Sequence, residues 1–317
     1  MPVFSRRFLL AGKTAEERRQ RRAGYRLRDF SITSKTRARY EQAVGRLLPF
    51  LEAQKDLNHL DEVLCEWIEL QWTRGESVNA IADTLSGLHF YWPQVRGALR
   101  EAWRLFKHWR RIEAPSRAPP LTVLLAKAII SRAVQKGDLC FACIVALAYH
   151  ALLRTGEVLA LRFCDLEFNL QCGVVSLQQS KSGLRSGSQE AVALRDRCTL
   201  QLLDTLWTCQ RHFPGQKIWP HSGQAFRKRL LSYFRFFRVV HFGYKGYSLR
   251  RGGATFLLQH GVPLEAILLR GRWKSISVGR LYLQDGLAQL PSLRIPPCDL
   301  DRINSFAGEV CPTAFHP

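Results

Sequence analysis

Two stretches of this chain hold side chains that could do chemistry together. The first, YSLRRGGATFLLQHGVPLEAILLRGRWKSISVGRLY from Tyr247 to Tyr282, carries Tyr247, Arg250, Trp273 and Tyr282; the second, HALLRTGEVLALRFCDLEF, carries Arg154 and Glu157. Two guanidinium forks, an indole and a phenol suit attack on a phosphodiester without a metal ion or a cofactor. Moving a phosphodiester between alcohols needs an oxygen nucleophile, positive charge on the non-bridging oxygens and a proton donor for the departing oxygen. Tyr282, Arg154 with Arg250, and Lys181 can meet those three needs. A tyrosyl phosphodiester keeps the energy of the broken bond for the reverse attack, so rejoining needs no ATP. Arginine suits the charge role because its planar fork holds two phosphate oxygens at once.

Each of these residues also has a plainer reading. Arg154 could cap the helix ahead of it, Arg250 could pair with Glu265, and Trp273 could pack in a core while its N–H remains a donor. Tyr282, in SVGRLYL, reads equally as a ring on an amphipathic helix, and Lys181 sits in a basic, glycine-serine-rich tip of a kind that binds DNA backbone for many reasons. Glu157 is expected to hold an arginine or a neighbouring helix in place, or else to be a surface carboxylate. Arg251, Arg272, Lys274 and Lys245, with Arg227, Lys228 and Arg229, read as contacts to backbone phosphate.

The elements that must position these groups are mostly helical. Residues 1–34 form an Arg-rich arm, either mobile or partly helical. From Ser34, a plausible N-cap, Tyr40, Val44, Leu47, Leu48 and Leu51 recur at helical spacing. Further helices are expected over about 61–72, after Ser77, and from Pro93, so that 35–112 makes a four-helix unit. Arg37, Arg39, Arg100, Arg104, Lys107, Arg110 and Arg111 lie on its polar faces. The tract EAPSRAPP at 113–120 breaks any helix and reads as a linker. Beyond it, helices are expected at about 121–135, 138–153 (nearly apolar all round, hence buried), after Thr155, and at about 197–212, 223–240, 248–260 and 275–285. GVVSL (173–177) and EAVAL (190–194) read as a β-hairpin around QQSKSGLRSGSQ. The stretch 291–317, with Leu300, Ile303 and Phe306 on a short helix, would be a tail that docks on a neighbour or folds back on its own domain.

Charge agrees with a polyanionic partner. The 317 residues include 47 Lys and Arg against 26 Asp and Glu, a formal charge of +21. Residues 1–40 hold twelve basic and three acidic residues, and Thr205–Leu264 holds ten basic residues and no acid. A run of that kind repels itself unless an anion covers it. Nine cysteines at irregular spacing point to a reducing compartment, and the CxxC at Cys140 and Cys143 has no second ligand pair, which argues against zinc. The opening apolar run is too short for an export signal, and no uncharged apolar run reaches the roughly 18 residues of a membrane span.

These spacings resemble the tyrosine recombinases, also called the phage integrase family. Arg154 with Glu157 matches the family's first motif, Tyr247-Ser248-Leu249-Arg250 the second, and Trp273, nine residues before Tyr282, the pair that ends the site. Lys181 matches the hairpin lysine. SLRRGGAT followed by GRWKS is similar to recombinases of eukaryotic mobile elements. The resemblance covers about 35–290. It implies a mainly α architecture with a small β-sheet, in which a helical core-binding domain (35–112) precedes a mixed α/β catalytic domain (121–290). It further implies a double-stranded DNA partner, a 3′-phosphotyrosyl intermediate, a homotetramer on synapsed sites, and a location with DNA, nuclear in a eukaryote or in the cytoplasm or nucleoid of a prokaryote. Tyr247 departs from the family, which usually has histidine there; a phenol with pKa near 10 is a poor base. A domesticated or decayed integrase that binds DNA without cutting it, and a type IB topoisomerase, remain alternatives.

Overall fold

The computed structural model describes residues 14–24, 26, 31–53, 59–114, 117–177, 190–209, 213–283 and 285–309. The chain divides into two compact units, Met1–Ser116 and Arg117–Pro317.

The first unit contains α1 (Ala15–Arg22), α2 (Ser34–Glu52), α3 (Leu60–Thr73), α4 (Val78–Tyr91) and α5 (Arg100–Ile112). The N-cap of α2 is Thr33, one residue earlier than the sequence pattern indicated; its hydroxyl accepts from the Thr36 amide at 3.1 Å. Ser77 caps α4 in the same way. The helix expected from Pro93 is interrupted. Pro93–Val95 is a single 3₁₀ turn, Gly97 takes φ +87°, and the helix resumes only at Arg100. Asp61 caps that helix from α3, its carboxylate accepting from the amides of Glu101 and Ala102 at 2.9 Å each. Leu47, Leu64, Trp67, Ile68, Leu85, Phe106 and Trp109 fill the core, on the helical spacing that the sequence shows.

The second unit contains α6 (Val123–Gln135), α7 (Leu139–His150), α8 (Thr155–Val158), strands β1 (Leu166–Phe168), β2 (Gly173–Leu177) and β3 (Glu190–Leu194), then α9 (Arg197–Cys209), α10 (Gly223–Phe236), α11 (Gly246–Gln259), α12 (Leu264–Gly271), α13 (Ile276–Arg280), α14 (Asp285–Arg294) and α15 (Pro297–Glu309). The strands form one antiparallel sheet in the order β1-β2-β3, with Val175 opposite Leu166 and Val192. β1 and α12 are additions to the sequence reading; three and eight residues leave little periodicity to detect.

The apolar helix α7 is buried along most of its length, and α11 crosses it at close range. Gly253 permits that approach, since a Cβ there would lie 1.9 Å from the Tyr149 carbonyl oxygen; Gly252 lets α11 pass as close to the segment before α6, where a Cβ would lie 2.0 Å from the Leu121 carbonyl oxygen. The 291–317 stretch is no separate tail where it is described. Helix α15 packs along α6, burying Ile303 and Ala307, and Phe306 meets Phe236 and Phe237 with ring centroids 5.5 and 5.7 Å apart. Its apolar stripe packs within its own unit, as in the second of the two alternatives.

Among the described residues, no helix is long and apolar enough to cross a membrane. Among the described residues, Cys65, Cys140, Cys143, Cys164, Cys172 and Cys298 are free thiols and Cys198 is disulfide-bonded.

Candidate active site

The site lies where the end of α7, the start of α8, helix α11 and the α12–α13 connection converge. Its centre is Glu157. As the third residue of α8, it reaches back to accept from the Arg154 amide at 2.8 Å, half of a capping box, and takes the Arg154 guanidinium on its other oxygen at 2.5 Å. Arg154 is thus fixed at the helix entrance with a quarter of its side chain open to solvent. Burial works against its charge, yet Glu157 outweighs that and holds the arginine above its ordinary pKa.

Arg250 projects from the second turn of α11 and is fully buried. One Nη donates to the Leu152 carbonyl at 2.7 Å and the other to the Gly271 carbonyl, while Glu157 stands 3.8 Å away. It makes no pair with Glu265. Burial, reinforced by Arg272 and Arg154, lowers its pKa to about 10, which leaves it cationic at neutral pH. The carbonyl of Leu152 can face inward because Leu152 adopts a left-handed backbone, φ 48°, just past the end of α7.

Arg272, read from sequence as a phosphate contact, points inward instead. It occupies the left-handed C-cap of α12 at φ 55°, donates to Glu157 at 2.6 Å, and has its Nε 3.4 Å from the carboxylate of Glu190 at the start of β3. A left-handed C-cap is usually glycine, and Gly271 sits one residue too early to take it. Nothing in the sequence therefore signals that Arg272 turns in. Arg251 is also buried, because its position on α11 faces residue 118, whose carbonyl it meets at 2.5 Å. Both were read from sequence as contacts to backbone phosphate, and both side chains are turned into the protein.

Trp273 lies between two partners, its plane tilted 38° from that of Tyr282. Its ring centroid is 4.5 Å from that of Tyr282, and the Arg250 guanidinium carbon is 4.9 Å from the same ring. Gly271 makes room: a Cβ there would come within 2.3 Å of the indole. The indole Nε1 is buried without a hydrogen-bond partner. Helix α13 is shorter than the expected 275–285, so Tyr282 follows it in a turn, its amide donating to the Gly279 carbonyl at 2.8 Å and its carbonyl accepting from Thr255 at 3.3 Å. The hydroxyls of Tyr282 and Tyr247 are hydrogen-bonded to each other. Partial burial, then that bond, pushes Tyr247 up to a pKa of about 12.

The structure thus brings Arg154, Glu157, Tyr247, Arg250, Trp273 and Tyr282 together, and adds Arg272, Glu190, Thr255 and two backbone carbonyls. Lys181 lies outside the described residues. Lys245, Lys274, Arg227 and Lys228 are exposed; Arg229 is exposed as well, but is paired with Asp138 at 2.5 Å. The arrangement offers a phenol beside guanidinium groups and a free indole N–H, with no cluster among the described residues that could hold a metal.

No protein-family model and no curated protein sequence matches this chain. Solved structures do. The Tn1549 transposon integrase in complex with transposon right end DNA superposes with a TM-score of 0.56 at 12% identity, over 83% of this chain and 95% of that one. A lambda integrase dimer bound to a COC′ core site gives 0.54 at 16% identity, over 82% and 74%. The XerH site-specific recombinase bound to palindromic difH substrate gives 0.52 at 15%, over 82% and 78%. Over most of its length the chain thus has the fold of the tyrosine recombinases and integrases.

Proposed function

We propose that this protein is a site-specific DNA recombinase or integrase of a mobile element, cutting and rejoining duplex DNA through a 3′-phosphotyrosyl intermediate. The observation that carries the reading is the convergence, from three separate chain segments, of Tyr282, Arg154, Arg250 and the unpartnered Trp273 indole N–H. A buried donor without a partner costs roughly 1–3 kcal/mol, and an incoming phosphate oxygen relieves that cost.

In this reading Tyr282 Oη attacks the scissile phosphorus, and Arg154 and Arg250 neutralise the charge that builds on its non-bridging oxygens. Trp273 donates to one of those oxygens. Lys181 protonates the departing 5′-oxygen, and a free 5′-hydroxyl from a partner strand reverses the step. Because Arg250 is held by two backbone carbonyls and Arg154 by Glu157, both are oriented before substrate arrives, which is the condition for electrostatic stabilisation of a transition state. The unit at 35–112 serves as core-binding domain and that at 121–290 as catalytic domain, closing on duplex DNA with Lys245, Lys274, Arg227 and Lys228 on the phosphates. Recombining two sites takes four strand cuts, hence a homotetramer on DNA.

A second reading, a DNA-binding protein that no longer cuts, is favoured by one observation: Tyr247 stands where an imidazole would accept a proton. Covalent trapping separates the two. Wild type and Tyr282→Phe are incubated with a nicked random-duplex library and denatured in detergent, and the attached DNA is sequenced. An adduct with wild type only supports the recombinase; no adduct from either, with normal duplex binding, supports the second reading.

A further inference from the structure

The two phenols of the site are bonded through their hydroxyls, with ring centroids 5.6 Å apart. Tyr247 stands in the first turn of α11, one helical turn before Arg250. The charged and polar groups around the pair come from every neighbouring element. Arg154 acts on both phenols from the entrance of α8, as does Arg251 on α11; Arg250, also on α11, faces Tyr247 and lies with its guanidinium carbon 5.4 Å from the Tyr282 ring; the Trp273 indole comes from the α12–α13 connection. Behind them Glu157 is committed to three arginines. Among the described residues, none of the groups touching the phenols is a base at neutral pH.

We propose that Tyr247 serves the reaction as a hydrogen-bond donor to the nucleophile, holding its own proton and stabilising the Tyr282 phenolate, instead of withdrawing the proton of Tyr282. This rests on the reading of Tyr282 as nucleophile and assigns the role of the residue that departs from the family pattern. Two features support it. A donor at hydrogen-bond distance to an oxygen that becomes anionic strengthens its bond as charge develops. Tyr247 also retains its proton to higher pH than an ordinary phenol, because partial burial and the bond to Tyr282 both favour the neutral form.

The step balances without a new reagent. Tyr282 gives its proton to solvent, the Oη–P bond forms as the P–O5′ bond breaks, and the departing oxygen takes up a proton. The Tyr247 proton stays on Tyr247 throughout and serves equally in the reverse reaction, when Tyr282 leaves as phenolate. Because solvent takes the first proton, cleavage is expected to accelerate with pH, unlike a site in which imidazole is the acceptor.

The test is the single-turnover rate of covalent adduct formation on the trapped duplex, from pH 6 to pH 10, for wild type, Tyr247→Phe and Tyr247→His, with duplex affinity as the control for folding. Wild type is expected to rise with pH. Tyr247→Phe, lacking only the donor, should be about tenfold slower near neutrality, with its rise displaced upward by about one pH unit. Tyr247→His should level off above neutral pH, as an imidazole of pKa near 6.5 becomes an acceptor. An adduct from wild type together with an unchanged rate and pH profile in Tyr247→Phe overturns the donor role alone. No adduct from wild type at any pH overturns the cleavage reading, and the donor role with it.

Discussion

Arg272 donates to Glu157 at 2.6 Å, and the two side chains are only 7% and 6% exposed. That pair locks the carboxylate whose other oxygen holds Arg154, so the orientation of an arginine at the mouth of the site depends on one that never reaches it. Breaking a buried pair from one side leaves an uncompensated charge, worth about 3–5 kcal/mol. Arg272→Ala is therefore expected to lower stability by that order in urea unfolding. Arg272→Lys should recover only part of it, since one ammonium cannot span Glu157 and Glu190 as the guanidinium does.

Arg154 and Arg250 should fail differently. Removing Arg154, which is partly exposed, should cost about 10²–10³ in cleavage rate while leaving duplex affinity and the urea midpoint nearly intact. Arg250→Ala also strips partners from the Leu152 and Gly271 carbonyls and opens space under Trp273, so it should lose cleavage and stability together. Full cleavage by either variant contradicts the assignment.

Gly253 sets the distance between α11 and α7. Gly253→Ala places a methyl 1.9 Å from a backbone oxygen, which no rotamer change relieves. The helices must separate, displacing Arg250 with them, and a loss of at least 2–3 kcal/mol is expected from overpacking. Chemical denaturation reads it; a midpoint equal to that of wild type excludes the crossing described.

His150 gives stability a pH dependence. It is buried 3.8 Å from Asp196, and burial, with Arg270 and Lys127 nearby, lowers its pKa from 6.5 to about 4. Between those values the unfolded chain binds the proton more readily than the folded one, so stability is intact above pH 6.5 and falls as pH drops toward 4. The loss amounts to about 3 kcal/mol in all. Melting temperatures from pH 7.5 to pH 4.5 should show the decline, and His150→Phe should flatten it.

Helix α15 belongs to the core. Ile303→Ala should cost about 2–4 kcal/mol, as for other fully buried aliphatic side chains. Truncation before Pro297 should abolish folding of the second unit, measured as loss of the cooperative transition, where a peripheral tail would leave it unchanged.

Much of this protein was legible in its sequence. The strands at 173–177 and 190–194 and the burial of α7 follow from local patterning, because side-chain periodicity and chain composition act over a few residues. The types of Arg154, Glu157, Arg250, Trp273 and Tyr282 likewise marked them as one group, and the fold brings them together. Direction is what the sequence leaves open. Arg272 and Arg251 have the same formal charge as Lys274 and Lys245, yet the first two are buried and the last two face solvent. That difference comes from a left-handed turn at Arg272 and from the face of α11 on which Arg251 stands. The contact between the hydroxyls of Tyr247 and Tyr282, thirty-five positions apart, arises only when α11 packs against the α12–α13 turn. Such contacts depend on backbone direction and on how closely helices approach, quantities set by the packing of the whole unit and absent from any local run of residues.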